Sequence, residues 1–391
     1  TLRMRVTDAF GNTLGGQTVS VTADNSAMVA STVITGPDGT VEISVTSQTA
    51  GISTVTASIN NSSLSRDVTF VADVRTAQIA DLVVIKDGSE ADGSTANTLR
   101  ARVTDAFGNA LAGQTVSVLA DNGATTAPTV ITEPDGTVEI SVTSQTAGVS
   151  TVTASINSSS LSRNVTFVAD VRTAQIAVLE VTQDYAVADG STANTLRARV
   201  TDAFGNTLAG QTVSVTAGNG ATVAPTAITG PDGTVEISVT SQTAGISTVT
   251  ATINSSSQSR DVTFIADAST AQIADLVVIK DGSEADGSTE NTLRVRVTDA
   301  FGNTLGGQTV SVLADNGATT APTVITEPDG TVEISVTSQT AGTSTVTASI
   351  NSSSLSRNVT FVADVRTAQI ADLVVIKDGS EADGSTENTL R

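Results

Sequence analysis

The sixteen residues VTDAFGNTLGGQTVSV at 6–21 return almost unchanged from Val103, Val200 and Val297, a spacing of 97 residues each time. A fixed period restricts a fold more than any local pattern does, because every unit must close in the same way. This period is too long for one turn of a solenoid and fits a small domain with its own core. A domain of this size buries a modest core and holds about 5–10 kcal/mol of stability. The chain therefore reads as a string of like domains.

The second period shows how each unit folds. Residues 79–85 form a short apolar run, read as a first strand, and the turn-rich KDGSEADGS follows at 86–94. TLRARVTDA then alternates, with Leu99, Ala101 and Val103 on one side and Arg100, Arg102 and Thr104 on the other. That period of two marks a strand with one wet face. FGN follows, with Gly108 and Asn109 both able to take positive φ in a tight turn. QTVSVLA alternates through Val116 and Val118, and PTVIT at 128–132 is a short edge strand. Pro134 and Gly136 make a turn into a strand pointing Val138, Ile140 and Val142 inward. Val152, Ala154 and Ile156, then Val165, Phe167 and Ala169, complete the set. About seven strands with frequent turn signals, and no helical periodicity, predict an all-β immunoglobulin-like β-sandwich.

The core must be built from Val, Ile, Leu and Ala, since aromatic residues are few: eight Phe, at Phe10, Phe70 and their copies, one Tyr and no Trp. Cysteine is absent, so the Cys…Trp…Cys centre of many such sandwiches is missing; two apolar inner faces suffice without it. The expected domains are 1–73 (lacking its first strand), 74–170, 171–267 and 268–364, with 365–391 supplying the start of another. The junction ADVRTAQIA at 169–177 holds no Pro and no Gly/Ser run, which predicts a restricted joint and an elongated, semi-stiff rod. The chain begins on TLR and ends on TLR, the same point of the period, so a segment of a longer protein is expected. No stretch reads as a signal peptide or a membrane span.

The runs ADGSTANTLRARVTDAFGNALAGQTVSV at 91–118 and PDGTVEISVTSQTAGVSTVTASI at 134–156 resemble the bacterial immunoglobulin-like domains of intimin/invasin-type adhesins, the inverse autotransporter family. The resemblance covers every period. It implies Gram-negative outer-membrane adhesins in which tandem domains form a stalk between a membrane anchor and a distal host-binding domain. Neither anchor nor tip domain is recognisable in these 391 residues.

Chemistry finds little footing. Without His or Cys, Ser-His-Asp and Cys-His sites are impossible. The carboxylates Asp105, Asp121, Glu133 and Asp135 fall in turns. DGSEAD places Asp87, Ser89, Glu90 and Asp92 beside a junction, where calcium would want six to eight oxygen ligands. The spacing is not that of an EF-hand. The third copy keeps Asp184 and Asp189 but has Val187 in place of Glu90. Turn-forming Asp-Gly pairs are the simpler reading. Lys86, Lys280 and Lys377 sit beside flexible turns, and the third period has no such lysine, against an intramolecular Lys–Asn bond. Asn157 and Asn164 head sequons and read as surface residues. No residue is assigned a catalytic, cofactor-binding or metal-binding role, and no enzyme activity is expected. A net charge of −21 disfavours nucleic acid and anionic membranes as partners.

Near-identity between periods points to recent duplication, which changes length above all. The expected function is a structural spacer that projects a distal adhesive domain from a bacterial cell surface, with neighbouring domains of the same chain as its direct partners. The alternative is a weak binding module multiplied by avidity, for host glycan or for self-association between cells in a biofilm. Tyr185 is the single tyrosine that such a module could offer to sugar.

Overall fold

Alternating apolar residues close each repeat into two facing sheets. The computed structural model describes residues Thr1–Arg391. The chain divides into two units, 1–175 with 200–208, and 176–199 with 209–391.

The second repeat lies in the first unit and shows the complete set of strands. In chain order these are β1 (Gln78–Lys86), β2 (Ser89–Glu90), β3 (Asn97–Thr104), β4 (Thr115–Ala120), β5 (Thr125–Thr126), β6 (Thr129–Ile131), β7 (Thr137–Thr143), β8 (Gly148–Ile156) and β9 (Ser159–Val168). Seven of them have three residues or more; β2 and β5 have two each. One sheet runs β5-β7-β3-β1 and the other β2-β9-β8-β4-β6. The same two sheets recur in the third and fourth repeats. No α-helix is present; the only helical turns are short 3₁₀ segments such as Val171–Thr173. No helix is long and apolar enough to cross a membrane.

The pairing follows from the sequence. β3 pairs antiparallel with β7, Leu99 opposite Ile140 and Ala101 opposite Val138, so the two apolar rows share one face. Leu82, Leu99, Ile140, Val152, Val165 and Phe167 are buried between the sheets. Burying each large apolar side chain contributes about 1.5–3 kcal/mol. Arg100 and Arg102 face out as the alternation predicts.

Two features depart from the sequence reading. The first strand is split. Gly88 bends the chain at φ +75°, and Ser89 and Glu90 then pair parallel to Phe167 and Val168 in the opposite sheet. The stretch read as turn alone is thus a switch between sheets. Thr104, placed outward by alternation, is buried where it pairs with Gln78 of β1 and bridges to Ala110.

Gly136 shows why the Asp-Gly turn keeps its glycine. Its φ is +78°, and a Cβ there would meet the Val103 carbonyl oxygen at 2.8 Å and the Leu111 nitrogen at 3.0 Å.

In the first repeat a four-stranded sheet of Thr32–Ile34, Thr18–Ala23, Gly51–Ile59 and Ser62–Phe70 faces the pair Leu2–Arg5 and Thr40–Ile43. A groove of about 750 Å³ lined by Leu2, Met4, Val55, Ile59 and Leu64 lies there. In the second repeat, Ile79 and Leu82 of β1 pack against the equivalent residues. At the other end Val375–Lys377 pairs with Thr389–Leu390.

Candidate functional site at the joints between repeats

The most elaborate polar structure in the chain sits where one repeat meets the next. It is made by the loop Asp-Ala-Phe-Gly-Asn, which sequence reading took for a simple turn. In the first unit, Gly108 supplies the positive φ of +89°. Asn109 does not share it. Its backbone carbonyl accepts from the Asp105 N–H at 2.9 Å, and its side chain reaches across the joint instead. Its Oδ1 accepts from the Ala50 N–H at 2.8 Å, and its Nδ2 donates to the Gln48 carbonyl at 2.8 Å. One side-chain amide thus pairs with the preceding repeat as a strand residue would.

Asp105 holds that amide in place. Its Oδ1 accepts from the Phe107 and Asn109 N–H groups, both at 2.9 Å. Its Oδ2 accepts from Asn109 Nδ2 at 2.8 Å and from the Asp73 N–H of the linker at 3.2 Å. Burial pushes the Asp105 carboxyl up, but these hydrogen bonds, led by the Asn109 side chain, outweigh it and hold the group below its ordinary value. The linker turn Val74–Thr76 is capped by Asp73, and Thr76 Oγ1 accepts from the Ala106 N–H at 3.2 Å. On the facing side, Ser47 pins the loop that carries Gln48 by bonding both polar groups of the Thr49 backbone.

The cover is measurable in burial. Asp105 is 2 % exposed and Phe107 60 %, whereas Phe10, which has no repeat before it in this chain, is 92 % exposed.

The arrangement recurs. Also in the first unit, Asn206 accepts from the Ala147 N–H at 2.8 Å and donates to the Gln145 carbonyl at 2.9 Å, while Asp202 accepts from the Asp170 N–H at 3.2 Å. In the second unit, Asn303 pairs with Ala244 and Gln242 at 2.8 and 2.9 Å, and Asp299 accepts from the Asp267 N–H at 3.1 Å.

The residues singled out from sequence are placed as follows. Asp87 Oδ1 accepts from the Gly88 and Thr166 N–H groups, at 2.8 and 2.6 Å, and so secures the sheet switch. Ser89 Oγ donates to the Ala96 carbonyl at 2.7 Å. Asp92 accepts from the Ser94 and Thr95 N–H groups and the Thr95 hydroxyl, which hold its carboxyl well below the usual range. Glu90 bonds the Arg172 guanidinium. Asp184 and Asp189 repeat the backbone roles of Asp87 and Asp92 in the third repeat. Asp135 caps the local turn at Thr137, whereas Asp121 accepts from the Thr151 N–H of β8, thirty positions along the chain. Apart from Glu90, which bonds Arg172, these carboxylates accept from backbone N–H groups; no group of three or more that could hold a metal ion is formed. Lys86, Lys280 and Lys377 are exposed. Asn164 is exposed, whereas the Asn157 amide donates to the Ala77 carbonyl at 3.1 Å and ties the β8–β9 turn to β1. Tyr185 is exposed and stands at φ +62°, where the second and fourth repeats have glycine.

The joint residues escaped sequence reading because Asn after Gly is fully accounted for by turn chemistry. The available signal was a coincidence of two loops, DAFGN and TSQTAG, repeated together in every period.

The profile of the bacterial Ig-like domain (group 1) family matches residues 1–71, 79–168, 176–265 and 273–362. The chain belongs to this family. These group 1 Ig-like domains are similar to those of the inverse autotransporter adhesin YeeJ of Escherichia coli (strain K12), at 33 % identity over 411 residues. The match covers 96 % of this chain and 17 % of the adhesin, so the chain spans about a sixth of that relative's length. Among solved structures, invasin, described as a bacterial integrin-binding protein, is 25 % identical with a TM-score of 0.42, covering 79 % of this chain and 67 % of that one. The D0–D1 domains of intimin are 27 % identical with a TM-score of 0.23, covering 48 % of this chain and 98 % of that one. The chain is thus a tandem array of group 1 bacterial Ig-like domains.

Proposed function

We propose that this chain is a stalk segment of a bacterial surface adhesin, a spacer that carries a distal adhesive domain away from an outer-membrane anchor. The observation behind this reading is the recurrence of one joint. Asn109, Asn206 and Asn303 make the same two bonds to the preceding repeat. A surface kept for binding a partner needs one refined copy; a joint kept in every copy serves the connection itself. Each bond contributes about 0.5–1.5 kcal/mol net, enough together to restrict a linker of a few residues.

A second reading has one observation in its favour. Apolar side chains recur on the outer face, Ile131, Ile228 and Ile325 on edge strands with Leu119 and Leu313 nearby in sequence, all well exposed. Such a row can bind weakly and repeatedly to a host surface or a neighbouring cell. Deleting two internal repeats from the whole adhesin on the cell separates the two. A spacer loses reach, while the purified chain binds neither host cells nor itself. An avidity module loses adhesion in proportion to repeat number, and the purified chain alone competes for the same surface.

A further inference from the structure

The linkers differ in charge although the joints share their hydrogen bonds. In the first unit, Asp170 caps the turn Val171–Thr173, and the Arg172 guanidinium spans two carboxylates. Its Nε bonds Asp170 at 3.1 Å and its Nη2 bonds Glu90 of β2. Arg172 therefore ties the linker back to the strand that switches sheets, while the Asp170 N–H ties it forward to Asp202. In the second unit the fourth repeat has the same device. Arg366 bonds Asp364 at 3.1 Å and Glu284, with Asp286 3.6 Å away.

The third repeat changes both partners at once. Val187 stands where Glu90 and Glu284 stand, and Ser269 stands where Arg172 and Arg366 stand. Replacing either alone would strand a charge; replacing both is what an interacting pair shows. Two carboxylates of the cluster remain there, Asp189 and Asp267, without a guanidinium. The Ser269 hydroxyl donates to Asp267 at 2.7 Å and its N–H at 3.0 Å. These bonds hold the Asp267 carboxyl low, while the neighbouring Asp189 charge pushes it up. Asp170 is buried, whereas Asp267 is only partly so.

We infer that the linker arginine is an electrostatic latch, and that the linker at 267–271, built without it, opens more readily than the one at 170–174 and responds less to salt. The ion pair is partly exposed, so its effect is modest, about two- to fivefold in the opening equilibrium. Salt at about 1 M shortens the screening length to about 3 Å. That weakens the attraction of Arg172 for Glu90, whereas the linker at 267–271 has no such ion pair to lose. The inference does not rest on the stalk reading; it says which linker yields first, whatever the chain carries.

Amide hydrogen exchange of the full chain, resolving residues 171–174 from 268–271 by mass spectrometry, tests it. At low salt the 268–271 amides should show protection factors about two- to fivefold lower. Glu90→Val, or the milder Glu90→Gln, should lower protection at 171–174 by a similar factor while Val165 and Phe167 in β9 stay protected. Val187→Glu with Ser269→Arg should raise protection at 268–271, and Val187→Glu alone, which adds a carboxylate without its partner, should lower it. Added NaCl should bring the two linkers together. Equal protection in the two linkers at low salt, no response to Glu90→Gln, or no gain from the paired change would overturn the latch.

Discussion

At the scale of single residues, the joint rests on an asparagine whose role a turn disguises. Asn206→Ala removes both bonds to the preceding repeat and leaves the Ala147 N–H and the Gln145 carbonyl without that partner. The expected cost is about 1–3 kcal/mol at the joint, read as faster exchange of the Ala147 amide with the β-sheet cores unchanged. Aspartates give the second prediction at this scale. Asp92, Asp189 and Asp286 are held well below the ordinary carboxylate value by threonine hydroxyls and backbone N–H groups. A folded-state pKa below the unfolded one, about 3.9, adds stability that is complete above that value and is lost as pH falls through the folded one. Thermal melts should therefore be flat from neutral pH down to about 5 and fall progressively in stronger acid. A midpoint already dropping between pH 7 and 5 would contradict this. Both roles were half legible in sequence. The Asp-Gly and Gly-Asn pairs announce turns correctly, but whether a side chain caps its own turn or reaches another loop is decided by a neighbour about sixty positions away.

At the scale of elements, alternation carried most of the information. The rows Leu99–Ala101–Val103 and Val138–Ile140–Val142 are buried as their period of two requires. What the pattern could not show was the break between β1 and β2, because a glycine after an aspartate reads the same whether the chain turns back or crosses to the other sheet. Nor could it show that Thr104 is covered, since its neighbours Gln78 and Ala110 come from separate segments of the repeat. The two phenylalanine positions that recur in every period part company in the structure. Phe167 is 1 % exposed in the core and Phe107 is 60 % exposed at the joint. Phe167→Ala should cost about 3–5 kcal/mol in denaturant unfolding of its repeat, while Phe107→Ala, which opens no sealed cavity, should cost less than about 1 kcal/mol. β2 and the end of β9 add a mechanical element. The parallel bonds from the Gly88 N–H to Thr166 and from the Ala91 N–H to Val168, at 3.1 and 2.7 Å, lie between the first and last strands of one repeat. Tension applied along the chain loads them together.

At the scale of the whole molecule, the period of 97 residues was the most informative feature of the sequence, and it states the central claim: one self-contained unit, copied. Near-identical neighbours risk exchanging strands while they fold. Membership of the group 1 bacterial Ig-like family agrees with this architecture, while reach, anchor and tip belong to the proposal. Single-molecule stretching of the chain tests the claim most directly. The second, third and fourth repeats should each unfold in a separate force peak, with contour steps of roughly 300 Å for about 97 residues extended at about 3.5 Å each, less the folded length. Smooth extension without peaks, or one step releasing all the repeats together, would contradict it.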